Sequence, residues 1–499
     1  MSALKEIYRY HEITKHRLNA YAPAPGFLDW DSQPNPFRRY DDCEEILLPI
    51  VDHPAESTDW NEENIARFLG LSMGLSGWKV MGPDRWSLRM TPSSGNLHPT
   101  ECYLASFLEG RLYHYNVLNH SLELRASDMC GDHDGAFGAV GLSSITWREE
   151  WKYGERAYRY CQLDVGHAIG TMLYSAHLLG WTVTPLLDLS DDQLSGFLGL
   201  NQLEDFDGVE QEEPDILLLI GPKGCGVKEP LFFQNWYGKP NKLSPEKVAW
   251  PEICRLKKYV EKQAHMSAKT VDVQPDWMSD RQKAISFIQN RRSAQRMLKE
   301  DSVIGYDDFK RMLENLKTVQ LFDPAISLVF FIHNVEGLAP GLYFYERKDG
   351  HQDEISHLCA VDFSWQPEGK IAGLYQLQTN VDVRKIASQL SCHQGIAGHG
   401  AFAVSMLADF KVMDEWGAWV YRRLHWEAGL LGQALYLEAE ACGLNGTGIG
   451  CFFDDEVHGL LGLSTTEGPW QVIYHFTVGK ARIDPRLQDE PAFSHLSYR

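Results

Sequence analysis

The sequence predicts an α+β chain built from two copies of one unit, and three observations carry that reading. First, Tyr158–Leu200 and Tyr421–Leu463 align without a gap at an offset of 263 residues (421 − 158). The copies share Tyr158/Tyr421, Arg159/Arg422, Gly166/Gly429, Gly180/Gly443, the pairs Asp191-Asp192/Asp454-Asp455, and Leu198-Gly199-Leu200/Leu461-Gly462-Leu463. Second, strand-like segments recur in the same order around them: Leu112–Tyr115 and Leu342–Tyr345, then Asp215–Gly221 and Trp470–Gly479. Third, helices and strands mix without the regular alternation of a doubly wound parallel sheet.

Each copy reads as one long helix, a glycine stop, a loop, and a short helix opened by Asp-Asp. Carboxylates there suit the free N–H groups and the dipole of a helix start. Residues 1–55, with many Pro, Asp and Tyr, read as an extended arm, and 56–221 as the first copy. Residues 222–285, rich in Pro and Lys with one helix near 251–264, read as a connector. The second copy spans 286–485, and 486–499 form a tail.

Composition narrows the function. The 499 residues hold 68 acidic against 47 basic side chains, a net charge of −21. That charge works against nucleic acid or an anionic membrane as the main partner, so an anionic ligand needs a local cationic pocket. No apolar run approaches the ~20 residues of a membrane span, and the first residues lack a secretory signal core. The 10 cysteines are scattered, without a Cys-x-x-Cys pair, which fits a reducing cytoplasm better than a disulfide scaffold or zinc site.

Familiar catalytic motifs fail on context. Gly70-Leu71-Ser72-Met73-Gly74 matches a nucleophile pattern but follows the helical stretch Glu63–Leu69, not a strand. Gly446-Thr447-Gly448-Ile449-Gly450 follows a helix, so it lacks the order of a dinucleotide loop.

Three segments survive. Arg291-Arg292-Ser293-Ala294-Gln295-Arg296 ends a helix and sets guanidinium forks beside a hydroxyl, matching phosphate oxygens. Val478-Gly479-Lys480-Ala481-Arg482 leaves a strand with two cations at period two. Arg89-Met90-Thr91-Pro92-Ser93-Ser94-Gly95-Asn96-Leu97-His98-Pro99 is an extended loop whose amides and short polar side chains suit a heteroaromatic edge. Together they describe a site for a phosphorylated planar cofactor.

These segments resemble the FMN-dependent nitroreductases, and within them the SagB/ThcOx-type dehydrogenases that oxidise azolines to azoles in ribosomal peptides. The loop with Pro92, Ser93, Ser94, Gly95, Asn96 and His98 looks like the family's flavin loop. Arg292, Ser293, Gln295 and Arg296 resemble its phosphate segment, and Lys480 and Arg482 its late clamp. Gly448, Ile449 and Gly450 resemble the stretch whose backbone N–H faces flavin N5. Gln394 stands where a side chain reaches the ring edge, and Arg89 where charge near N1 is stabilised. The resemblance covers about 56–485 and implies two tandem nitroreductase-like domains forming an intrachain pseudo-dimer. It also implies FMN as cofactor, with NADH or NADPH as reductant.

The halves differ in complementary ways. The first keeps the Pro-Ser-Ser-Gly loop but has no Arg-Ser segment before it. The second keeps the Arg-Ser segment and the Gly-Lys-x-Arg clamp but lacks the loop. In the family these parts come from opposite subunits, so the expectation is one FMN per chain. Lys152-Tyr153 resembles the Lys-Tyr pair thought to take a ring proton in azoline dehydrogenases, and a lysine is a credible base. The second half has Trp416-Gly417-Ala418-Trp419 in the comparable region. His167 reads as a core histidine, whereas His98 lies inside the loop. The expected substrate is a small molecule or a peptide heterocycle. A non-catalytic flavin-binding or scaffold subunit of a modification complex is the alternative.

Overall fold

A computed structural model describes residues 2–263, 273, 275–466 and 468–496. Parts of the expected connector (264–272 and 274) and tail (497–499) lie outside the described residues. The chain divides into two compact units, here N and C. Unit N holds 25–251, 261–289 and 485–499; unit C holds 1–24, 252–260 and 290–484. The expected arm, 1–55, is thus shared out, and helix α1 (Ala3–Ile13) belongs to unit C.

In unit N, helix α2 (Glu62–Ser72) is capped by Asn61, whose side chain accepts the Asn64 amide at 2.9 Å. Ser72 is buried within this helix and bonds back to the Phe68 carbonyl, which removes it as a nucleophile. The sheet runs β1 (Glu45–Leu47), β4 (Thr100–Ser106), β5 (Arg111–Asn116), β6 (Ser121–Cys130), β7 (Gly138–Ser144), β8 (Thr182–Pro185), β9 (Glu213–Gly221) and β10 (Phe232–Trp236), while β2 (Leu75–Met81) and β3 (Asp84–Arg89) form a separate hairpin. Its strand order is β8-β9-β7-β4-β5-β6-β10, with β1 on β6, all antiparallel. Helices α3 (Trp147–Tyr153), α4 (Ala157–Leu178) and α5 (Asp191–Leu198) follow. Every residue of α4 but His177 is buried, His167 included, with polar side chains such as Arg159, Gln162 and Asp164 buried among the apolar ones.

Unit C repeats the plan. Its strands are β11 (Ile326–Ile332), β12 (Gly341–Tyr345), β13 (Gln366–Pro367), β14 (Leu374–Thr379), β15 (Phe402–Asp409), β16 (Asn445–Ile449) and β17 (Trp470–Gly479). They lie in the order β16-β17-β15-β11-β12-β14-β13, the same path as β8-β9-β7-β4-β5-β6 over its first six strands; the seventh differs, β13 preceding β14 in the chain where β10 follows β6. Helices α6 (Val420–Ala441) and α7 (Asp454–Leu461) begin and end 263 residues after α4 and α5. Gly180 and Gly443 stop the long helices at φ +70° and +69°, where a side chain is strained. The fold is therefore α+β in two tandem copies.

The Asp-Asp pairs do more than meet the helix dipole. Asp191 accepts the Lys262 amide at 2.9 Å and returns its own N–H to the Lys262 carbonyl at 3.1 Å. Asp454 does the same with His16, at 3.0 and 2.9 Å. Each copy thus holds a strap of chain by one two-bond clasp. In unit N the helix start itself is capped by a Ser190/Gln193 capping box.

Candidate functional site

The loop after β3 is shaped by backbone conformations that few residues adopt. Gly95, Asn96 and His98 have φ of +62°, +61° and +52°. Three side chains close the loop on itself. Ser93 Oγ accepts the His98 N–H at 2.9 Å, Asn96 Nδ2 donates to the Ser87 carbonyl at 2.9 Å, and Asn96 Oδ1 meets His98 Nε2 at 3.0 Å. Ser94 is tied to α4, its N–H reaching both Asp164 oxygens at 3.2 Å. Pro92 is half-buried and the tip, Gly95, is exposed. Arg89 is buried, donates to the Pro36 carbonyl and lies 5.5 Å over the Phe37 ring. Burial pulls its guanidinium down to about 10, so it stays cationic at neutral pH.

Lys152 and Tyr153 end α3 and converge on this tip. A Cβ built on Gly95 would fall 2.5 Å from Tyr153 Oη and 3.0 Å from Lys152 Nζ. Lys152 Nζ lies 5.3 Å from the Tyr153 ring centre, and Tyr153 packs edge-on to Tyr160 at 4.7 Å. Burial, then the neighbouring Glu149, hold the Tyr153 phenol well above its ordinary range, so it is a donor and not a base near neutrality.

Unit C gathers the second set of expected residues. The 292–298 stretch runs beside 480–482, with Leu298 N donating to Lys480 O and Arg482 N to Arg296 O, both at 2.8 Å. Ser293 Oγ meets Tyr436 Oη at 2.7 Å, and the same hydroxyl accepts the Gly448 N–H at 3.0 Å. One tyrosine thus joins the Arg-Ser segment to the glycine segment. A Cβ on Gly448 would fall 1.9 Å from Tyr474 Oη, so only glycine fits. Ile449 is buried in the core and pairs with His475 of β17, and Gly450 follows the strand end.

Ser293, Gln295, Arg296, Lys480 and Arg482 are exposed, and Arg292 is half-buried. Arg296 and Arg482 have no ion pair among the described residues. Lys480 Nζ bonds the Gly443 carbonyl at 2.9 Å. Behind Arg292, burial pushes the Glu440 carboxyl up to about 7, which lessens negative charge beside the cations. Gln394 Nε2 donates to the Cys451 carbonyl at 3.2 Å.

Two features escaped sequence reasoning. Cys392 and Cys451 form a disulfide across 59 residues, with Cα atoms 5.8 Å apart. This corrects the expectation of thiols only: spacing rules see nearby pairs, whereas α+β folding brings distant loops together. The other is the buried pair of acids Glu149, on α3 with Lys152, and Asp164, bonded to Ser94 of the loop. In the sequence they look like ordinary polar helix positions; the one available signal is an aspartate on a long helix rich in apolar and small residues. Among the described residues no cluster of metal-ligating side chains exists, and no helix is long and apolar enough to cross a membrane.

Comparison with known proteins places the fold. The Nitroreductase family model matches residues 389–480. A structure named as a nitroreductase from Anabaena variabilis superposes with a TM-score of 0.72 over 97% of this chain and 100% of that chain, at 23% identity. A Ralstonia eutropha nitroreductase structure matches at TM-score 0.29 and 14% identity, over 40% of this chain and 84% of that one. The E. coli microcin synthetase McbBCD complex with truncated pro-MccB17 matches at 0.26 and 19%, over 37% and 69%. No curated protein matches the sequence. The chain thus has the nitroreductase fold, present in two tandem copies, and its residues 389–480 carry the sequence pattern of the nitroreductase family.

Proposed function

We propose that the chain is an FMN-dependent oxidoreductase with SagB/ThcOx-like dehydrogenase chemistry. Its substrates are azoline-type or other small heterocycles, free or in a peptide, or nitroaromatics. The observation that carries this reading is the convergence of Lys152 and Tyr153 on the exposed Gly95 tip. The donor set fits FMN. Arg296 and Arg482, two exposed cations without acid partners, and Lys480 with the Arg292-Ser293 amide region suit its phosphate. The amide-rich loop at Pro92–His98 suits a ring edge. The complementary losses in the two halves support one FMN per chain. NADH or NADPH is the implied reductant where a nitroaromatic is reduced; where an azoline is oxidised, the flavin takes the hydride and an electron acceptor such as dioxygen would reoxidise it. The cytoplasm is the implied compartment.

When bound, FMN supplies hydride exchange at N5. The chain's own residues do the rest. Lys152 Nζ, as the amine, takes the substrate ring proton. Tyr153, kept protonated by burial, donates a hydrogen bond to a heteroatom of the substrate ring. Gly95 leaves the space both side chains need, and Ser93, Asn96 and His98 hold the loop rigid around it. Arg89, cationic and buried, adds positive potential behind the loop.

Colour and turnover test the reading. Purified protein with stoichiometric yellow flavin, bleached anaerobically by NADH or NADPH, is expected. Lys152→Ala is expected to lower kcat by 10²–10⁴, the usual size of a general-base effect (roughly), and Tyr153→Phe by less. Substrate oxidation unchanged in Lys152→Ala would overturn the assigned roles. A flavin-bound protein without turnover would favour the scaffold alternative.

A further inference from the structure

Glu149 lies on α3 one turn before Lys152, and Asp164 lies two turns into α4. Both are buried, at 0% and 3% exposure. Asp164 accepts the Ser94 N–H through both oxygens and the Ser94 hydroxyl at 3.4 Å. The Glu149 carboxyl receives no donor from the described residues, and its polar neighbour is the Asp164 carboxyl. Neither acid has an ion pair among the described residues.

The second copy supplies the comparison. Glu427 stands 263 positions after Asp164, at the matching place on α6. It too accepts backbone amides, of Ala325 at 3.1 Å and Ile326 at 3.3 Å, but it is paired with Arg347. Where unit C sets a guanidinium against this carboxylate, unit N sets a second acid. An ionised carboxylate is acceptor-only, so two of them pack together in a buried site only where protonation removes their charge.

We propose that Glu149 and Asp164 form a carboxylic dyad in which both carboxyls are protonated, which anchors Ser94 and, by withholding negative charge, leaves Lys152 without an ionic partner. The dyad is a positioning element: it bonds the loop and acts electrostatically on the base, away from the substrate. Burial favours the same protonated state for both acids. The groups facing it are Lys152 and Tyr153 from α3, Tyr160 and Cys161 from α4, and Ser94 from the loop, with Glu150 and Asp215 facing Cys161 from beyond. Lys152 is the sole cation among them. An ionised dyad would favour the ammonium form electrostatically; a protonated one exerts no such pull.

This inference rests on Lys152 as the base, yet its tests need no flavin and no turnover. Infrared difference spectra of the full chain, wild type minus Glu149→Gln/Asp164→Asn, report a protonated carboxyl C=O band. Lysines methylated with carbon-13 report the pH midpoint of Lys152, assigned by its loss in Lys152→Ala. The wild type is expected to show the acid band. In Asp164→Asn or Glu149→Gln the remaining acid gains an amide donor and ionises, raising the Lys152 midpoint by roughly 1–3 pH units. The double variant, with no acid left, is expected to return the midpoint to the wild-type value or below. Glu149→Gln keeps the Asp164–Ser94 bonds, so it reports even if Asp164→Asn misfolds. A wild type without the acid band, or single variants with an unmoved Lys152, would overturn the proposal.

Discussion

Replacing Gly95 with alanine probes the Lys152–Tyr153 convergence by the smallest possible addition. Two costs arise. The first is backbone: φ +62° and ψ 9° are left-handed, and a side chain there costs about 1–2 kcal/mol. The second is contact. The new methyl would sit 2.5 Å from Tyr153 Oη and 3.0 Å from Lys152 Nζ, so the hydroxyl must withdraw by roughly 1 Å to reach ordinary separation. A displacement of that size costs on the order of 10²-fold in a positioned reaction. Gly208→Ala separates the two, because Gly208 has φ +74° in the same unit with nothing within 4 Å of its Cβ. Both variants are expected to lose about 1–2 kcal/mol of stability in thermal or urea unfolding. Only Gly95→Ala should lose turnover and perturb the tyrosine ultraviolet difference spectrum. If the two variants keep equal activity and equal tyrosine spectra, Lys152 and Tyr153 do not converge on Gly95.

Three further outcomes are expected. Arg296→Ala with Arg482→Ala removes two unpaired cations from the proposed phosphate site, each worth roughly 1.5–3 kcal/mol; FMN titration should weaken at least about tenfold per residue, and unchanged affinity would place the phosphate elsewhere. Closing 59 residues, the Cys392–Cys451 bond restrains the unfolded chain by about 4 kcal/mol in the chain-entropy estimate. Unit C should therefore melt lower in Cys392→Ser, and added dithiothreitol should lower the wild-type melting temperature but not the variant's. His114 carries the third: burial alone would lower it, but Glu101 at 3.1 Å and Glu123 at 2.9 Å raise it to about 9, against 6.5 for a free imidazole. Its contribution, on the order of 3 kcal/mol, is whole below pH about 6.5 and is lost as pH rises through about 9. Glu101 works in reverse. Burial opposes its charge, but Arg148 and His114 hold it at about 2, so its contribution is whole above about 4.5 and is lost as pH falls toward 2. Melting curves across pH should flatten on the alkaline side in His114→Asn; a wild-type stability that rises from pH 7 to 9 would contradict the assignment.

How much was legible follows from where the physics is local. The helix and strand bounds of the copies were readable because gapless alignment, glycine stops and apolar runs are local signals. Residues 292–296 and 480–482 were readable as cationic against a chain of net −21, and the structure joins them through main-chain bonds. Strand alternation was not: β5 and β12 are buried almost throughout, so no solvent face marks the period. The division of residues 1–55 between units, and the clasps at Asp191 and Asp454, depend on which surface a distant strap meets. The Glu149–Asp164 pair was hidden for a related reason. Glu149 reads as a helix-start carboxylate until burial shows that no solvent reaches it and that its carboxyl receives no donor from the described residues.

Flavin quantitation of the folded chain is the most direct measurement, made by releasing the cofactor from protein saturated with FMN and counting it against protein. One FMN per chain, bleached anaerobically by a nicotinamide, is the expected result. A colourless protein that ignores added FMN would contradict the flavoenzyme reading, and two FMN per chain would contradict the complementary loss of one site.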